Sequence, residues 1–262
     1  MQDKYDLLEI IEDGSFRKKY KAKLKNTDEL KVMEIICKKN FLDNFGEDYY
    51  KNEYLKSYEN MEICCKDNVN SVKLYEYCDT EKELITVTEL VDENLDEFLN
   101  KRDQGFNPQE ILGILKQLNN TFKIMVNNLI VHRGVKLDSI YIKYKNNEKS
   151  EYIVKLGDYR FSTKLNSSDH KVDFTVNTMT YLAPKVLEDL RYDGKVDLWS
   201  LGVSIYVLLF KEFPKKVEDA ASQQLVKASG NELLDDLLKK LLVKDPANRI
   251  TWEQYFEHPF FK

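Results

Sequence analysis

Apolar and polar positions change their rhythm once along this chain. Up to about residue 88 the apolar residues come in short runs rich in β-branched and aromatic side chains: Tyr5 to Ile11, Lys18 to Leu24 and Leu30 to Cys37, parted by polar clusters. Runs of this kind predict strands. Asp43 to Glu62 carries polar and aromatic residues at helical spacing and predicts one helix. Val72 to Cys78 and Leu84 to Thr88 predict two further strands, joined by the polar hairpin Asp79-Thr80-Glu81-Lys82-Glu83. Together these make a small, twisted, mainly antiparallel sheet with one helix.

Beyond Glu89 the period becomes helical. Asn107-Pro108-Gln109-Glu110 has the marks of a helix start, with a capping Asn, a Pro in the first turn and an acid three residues after the cap. Ile111, Leu115, Leu118, Phe122 and Met125 then share one face. Asp197 to Phe210 is apolar almost all round and is expected to be buried on every side. Leu233, Leu234, Leu237, Leu238, Leu241 and Leu242 form another core stripe, and Thr251 with Gln254 opens the last helix. Asn146 to Ser150 reads as a hairpin tip between two strands. A sheet-rich first third followed by a helical remainder predicts a two-lobed α+β architecture.

Composition narrows the class of function. The 262 residues are 42% hydrophobic, enough for a full core, and 32% charged with both signs mixed. The net charge of −5 argues against a nucleic-acid or anionic-membrane binder. Cys37, Cys64, Cys65 and Cys78 lack zinc-ligand spacing. The N-terminus has no apolar signal segment, and the longest apolar run, Val203 to Phe210, is too short for a bilayer span. The expectation is a soluble protein of the cytoplasm or another reducing, intracellular compartment.

The chemistry turns on His132-Arg133-Gly134-Val135-Lys136-Leu137-Asp138-Ser139. This stretch resembles the catalytic loop of protein kinases, His-Arg-Asp-Leu-Lys-x-x-Asn. The resemblance runs from about Tyr5 to Phe261 and is nearest to Ser/Thr kinases, because Lys136 stands where those enzymes keep a lysine. It implies a single bilobal protein-kinase fold over 1–262: a small, mainly antiparallel β N-lobe with helix C to about residue 88, a hinge at 89–92, and a larger helical C-lobe from 93. Asp197-Leu198-Trp199-Ser200-Leu201-Gly202-Val203 and Pro259-Phe260-Phe261 match the family's scaffold, and Asp197 is expected to receive N–H bonds from the loop near His132, itself read as structural.

At the positions that carry phosphoryl transfer, the chain departs from the family. Gly134 stands in place of the catalytic Asp, and Ser139 in place of a metal-binding Asn. Glu34 replaces the lysine that pairs the nucleotide phosphates, where a carboxylate repels a triphosphate. In Ile11 to Tyr20, which resembles the phosphate-covering loop, only Gly14 survives, and Arg17 and Lys19 bring long side chains over it. Asp158-Tyr159-Arg160 replaces Asp-Phe-Gly. Asp158 is the one retained metal position, while Arg160 removes a Gly and is a candidate partner for Glu59.

Glu59 is the preferred helix C glutamate, with Glu53 competing. Lys19 is expected to pair with Glu34. Lys19, Met33 and Tyr141 are expected to fill the adenine space, with Thr88 and Glu89 as gatekeeper and hinge. Tyr159, Ile63, Leu74 and His132 are expected to form a column between the lobes. Lys185 is expected to face Arg249, with Glu188 or Asp189 as relief, and Arg133 is the candidate receiver of a phosphate on Ser167, Ser168 or Thr175. The resemblance therefore implies a pseudokinase: no cofactor, with only residual ATP or magnesium binding as the exception, and a protein partner such as an active kinase or a larger assembly. A nucleotide- and metal-dependent transferase with other chemistry is the alternative.

Overall fold

A computed structural model describes residues 2–167, 172–173, 179–181, 191–214 and 227–262. Its first part is a five-stranded antiparallel sheet of β1 (Tyr5–Asp13), β2 (Arg17–Leu24), β3 (Leu30–Cys37), β4 (Leu74–Asp79) and β5 (Glu83–Glu89), in the order β1-β2-β3-β5-β4. The register of the first hairpin is written in charge. β1 is acidic and β2 basic, and pairing sets Asp13 opposite Lys18 and Glu12 opposite Lys19. Lys18–Asp13 at 3.1 Å, Lys19–Glu12 at 3.2 Å and Lys21–Glu9 at 3.1 Å follow, and a slipped register would scatter these cross-strand pairs.

Side chains alternate across the sheet. Met33 packs with Tyr5, Ala22, Ile85 and Val87 on the outer face, while Ile36 and Leu84 join the main core on the inner face. Helix α1 (Lys38–Phe45) ends at Gly46, whose φ of 81° suits a residue without a Cβ. A short turn (Glu47–Tyr49) and a π-helical turn (Tyr50–Tyr54) then lead into α2 (Leu55–Cys65). The single helix expected over Asp43–Glu62 is therefore two helical pieces with a change of phase between them. Aromatic packing accompanies the break: Phe16 from the β1–β2 loop meets Phe41 at 5.5 Å, Phe41 meets Tyr54 at 4.5 Å, Tyr54 meets Tyr58 at 5.8 Å and Tyr58 meets Tyr77 at 5.5 Å.

The second part is helical: α3 (Leu95–Asn100), α4 (Pro108–Asn127), α5 (Val196–Phe210), α6 (Glu232–Leu241) and α7 (Trp252–Phe256). Asn107 accepts from the Glu110 N–H at 3.0 Å and Glu110 accepts from the Asn107 N–H at 2.7 Å, so the capping box read from sequence forms at the start of α4. Thr251 and Gln254 form the same box at α7, and Asn231 caps α6 with its side chain alone, accepting from the Leu234 N–H. α5 is buried from Val196 to Leu208. On α6, Leu234, Leu237, Leu238 and Leu241 are buried, but Leu233 is exposed, since it falls a quarter-turn off that stripe. Strands β6 (Glu93–Asn94), β8 (Ile140–Tyr144) and β9 (Tyr152–Leu156) form a three-stranded sheet. β7 (Ile130–Val131) pairs with β10 (Thr163–Lys164), and β11 (Val172–Asp173) with β12 (Arg191–Tyr192). The architecture is the bilobal α+β one. Among the described residues, no helix is long and apolar enough to cross a membrane.

Candidate functional site

Between the sheet and the helical part lies a cavity of about 530 Å³ whose lining includes Ile11, Val32, Thr88, Tyr141, Glu34 and Asp158. Strand alternation decides what β3 contributes. Val32 and Glu34 face the cavity, and Met33, one residue between them, is buried on the opposite face. The expectation that Lys19, Met33 and Tyr141 fill the adenine space is thereby corrected for Met33, while Lys19 and Tyr141 do line the cavity. Met33 is elsewhere, Lys19 bends toward carboxylates, and the cleft stays open.

Antiparallel pairing puts Lys19 directly opposite Glu34. Four side chains then close a ring of alternating charge. Arg17 pairs with Glu12, Glu12 with Lys19 at 3.2 Å, Lys19 with Glu34 at 3.8 Å, and Glu34 with Arg17 at 3.5 Å. Burial pushes the Glu34 carboxyl above its ordinary range, against the pull of Lys19 and Arg17. Burial acts against the charged forms of Lys19 and Arg17, but Glu34 and its acidic neighbours hold both cations above their usual values. Each charge in the ring has two opposite neighbours, so the group is close to neutral as a whole.

The remaining polar positions are engaged locally. Asp158 sits in left-handed backbone with φ 59° and accepts two bonds from Arg160, one of them from Nη2 at 2.8 Å. Arg160 thus turns to its own neighbour, which corrects the expected pairing with Glu59. Ser139 is fully buried; its hydroxyl accepts from the Lys136 N–H at 3.0 Å and donates to the Lys136 carbonyl at 2.8 Å. Lys136 reaches Asp138 at 2.9 Å. Among the described residues no group of three His, Cys, Asp or Glu side chains is placed to hold a metal ion. A magnesium–phosphate group does not fit this donor set, because the Asp158 carboxylate is held by Arg160, the Ser139 hydroxyl by backbone and Glu34 by two cations.

Asp197 organises the loop beneath. Its carboxylate accepts from the N–H of His132 at 2.6 Å and of Arg133 at 2.9 Å, which fixes Arg133 at φ 61°. The His132 ring packs on Tyr159 with centroids 4.9 Å apart and bonds the Gly157 carbonyl at 2.9 Å, and burial pulls its pKa down to about 4. Gly134 lies beside it, where an added Cβ would stand 3.3 Å from His132 Nδ1.

Helix α2 presents a different face from the one expected. Glu59 is exposed, on the side away from the cavity, and the residues lining the cavity are Ser57, Tyr58 and Met61. Sequence spacing chose Glu59, but the phase break before α2 turns it outward. Glu53, the competing candidate, reaches Arg133 instead, at 2.7 Å. Arg133 therefore holds a carboxylate of its own chain. In the column between the lobes, Tyr159, Leu74 and His132 are buried as expected. Ile63 is only half-buried, and Cys64 is the residue that meets the Tyr159 hydroxyl. Arg249 is buried and donates to the carbonyls of Val243 and Lys195, each at 2.9 Å. Lys185, Glu188, Asp189, Ser168 and Thr175 lie outside the described residues, and Ser167 is exposed. Sequence reasoning missed Val32 and Tyr58; two-residue alternation on β3 was the available signal for Val32.

The fold and this cleft define a protein of the kinase class, and comparison places it there: the protein kinase domain family matches residues 5–261, so the chain belongs to that family. It is 28% identical over 267 residues to the serine/threonine-protein kinase TIO of Arabidopsis thaliana, covering 98% of this chain and 19% of that one. It is 29% identical over 276 residues to calcium-dependent protein kinase 4 of Plasmodium falciparum, covering 99% of this chain and 50% of that one. It is also 27% identical over 273 residues to myosin light chain kinase A of Dictyostelium discoideum, covering 98% and 88%. The chain spans half or less of the length of the first two relatives.

Proposed function

We propose that this chain is a catalytically inactive protein kinase homologue, a pseudokinase that acts as a protein-binding, scaffolding or allosteric module without productive ATP binding. The observation that carries the reading is the closed ring of Glu12, Arg17, Glu34 and Lys19. Phosphoryl transfer rests on positioning and electrostatic stabilisation of phosphate charge. Here the β3 position holds a carboxylate, and the two nearby cations are already shared between carboxylates. Gly134 has no side chain to accept a substrate proton. On this reading the module comprises an N-lobe to about residue 88, a hinge at 89–92 and a C-lobe beyond, works inside the cell, and meets a protein partner, such as an active kinase, on its surface.

A second reading, a nucleotide-dependent transferase with other chemistry, draws on the open cavity of about 530 Å³ with Ile11, Val32 and Thr88 in its lining. A thermal-shift titration with ATP, with and without magnesium, tests the pair. A ligand at a hundred times its dissociation constant adds about 2.7 kcal/mol of stability. No shift in either condition is expected. A magnesium-dependent shift would overturn the first reading and turn attention to group transfer.

A further inference from the structure

Helix α2 and the π-helical turn before it carry a row of side chains at helical spacing, Glu53, Asn60 and Cys64, directed at the other lobe. Each meets a separate point there. Glu53 Oε2 lies 2.7 Å from Arg133 Nη2, whose Nε also donates to the Phe161 carbonyl. Asn60 Nδ2 donates to Ser162 Oγ at 3.2 Å, and both residues are buried. Cys64 meets the Tyr159 hydroxyl, which also bonds Ser71 Oγ at 2.9 Å. The segment that follows Asp158 is thus held at three of its residues, Tyr159, Phe161 and Ser162.

We propose that Glu53 and Arg133, with Asn60 and Ser162, form an intramolecular latch. Glu53 supplies from within the chain the anion that seats on Arg133, and so fixes α2 against residues 159–164 without a ligand or a modification. Three features make this more than a surface ion pair. The Arg133 side chain is 5% exposed, so its charge needs a partner there. Its backbone is pinned in left-handed conformation by Asp197, so the guanidinium starts from a fixed point. The π-helical turn that carries Glu53 sets the phase of this stretch, a local distortion that often marks a working position. A partner would therefore meet one preset arrangement of the two lobes. The latch stands on its own geometry and holds whether or not the domain transfers phosphate.

Hydrogen exchange on the full chain tests it, comparing the parent with Glu53→Gln, Arg133→Gln and the double variant. Glu53→Gln keeps the shape and removes the charge. Exchange is expected to rise about tenfold both in 53–65 and in 159–164, equivalent to about 1.4 kcal/mol, with α6 unchanged. The double variant should add nothing to Arg133→Gln, which already removes the pair along with the Arg133 bond to the Phe161 carbonyl. Should Arg133→Gln fail to fold, a potassium chloride titration replaces it: parental exchange in 159–164 should rise with salt, and that of Glu53→Gln should not. Exchange within twofold of the parent at 159–164 in Glu53→Gln, or additive effects in the double variant, would overturn the latch.

Discussion

Replacing Glu34 by Gln probes the charge ring most directly. The substitution keeps the side chain's size and removes its charge, leaving Arg17 and Lys19 with Glu12 and the more distant field of Asp158. At the Arg17 and Lys19 distances of 3.5 and 3.8 Å, each attraction is on the order of 4–5 kcal/mol in an effective dielectric near 20. Desolvation of Glu34 and its repulsion from Glu12 oppose that sum. Removing one partner of a buried pair costs about 3–5 kcal/mol. Arg17 and Lys19 keep 16% and 24% of their side-chain surface in solvent, and that contact screens the two cations left behind. Burial nevertheless holds the Glu34 carboxyl above its ordinary range, so desolvation outweighs both attractions, and Glu34→Gln is expected to leave the melting temperature unchanged or to raise it. Glu12→Gln, by contrast, should cost about 1 kcal/mol or below, because Lys19 and Arg17 hold its carboxyl below the usual range and it is 38% exposed. The assay is thermal unfolding of both variants and of Glu34→Gln combined with Lys19→Met, which should cost less than the sum of the single changes. A Glu34→Gln variant less stable than the parent by more than about 0.5 kcal/mol, the ordinary range for a neutral surface change, would show that the attractions outweigh the burial cost and would refute this reasoning.

Two further outcomes follow from the same geometry. His132 has its pKa pulled down to about 4 by burial, against about 6.5 when unfolded. Its contribution is therefore complete above pH 6.5 and is lost as pH falls toward 4, about 3 kcal/mol in all. Asp197, pushed up to about 6 by burial, acts in the opposite direction over roughly pH 4–6, so the His132 contribution is read from a difference between variants and not from the parent's own curve. The difference between the parent and His132→Phe should shrink by about 3 kcal/mol from pH 7 to pH 4 in denaturant titrations, and a constant difference would refute it. Phe41→Ala should cost about 3–5 kcal/mol in the same titrations, since Phe41 is fully buried and touches Phe16, Tyr50 and Tyr54.

The amino-acid sequence by itself determined the elements and their class. Strand runs, the caps at Asn107 and Thr251, and the apolar length of α5 depend on residues within a few positions of one another, and they appear in the structure where local pattern put them. The pairing of Lys19 with Glu34 was also legible, because the two lie on neighbouring strands and face the same cleft. What only the tertiary structure decided is which way certain side chains face. Gly46 and the π-helical turn change the helical phase before α2, so Glu59 turns outward and Tyr58 inward. A shift of one residue moves a strand side chain to the other face of the sheet, which is why Val32 rather than Met33 reaches the cleft. Glu53 finds Arg133 across 80 positions of sequence, and no local pattern encodes such a contact. It exists because packing fixed the approach of two elements, and that approach is a property of the folded chain as a whole.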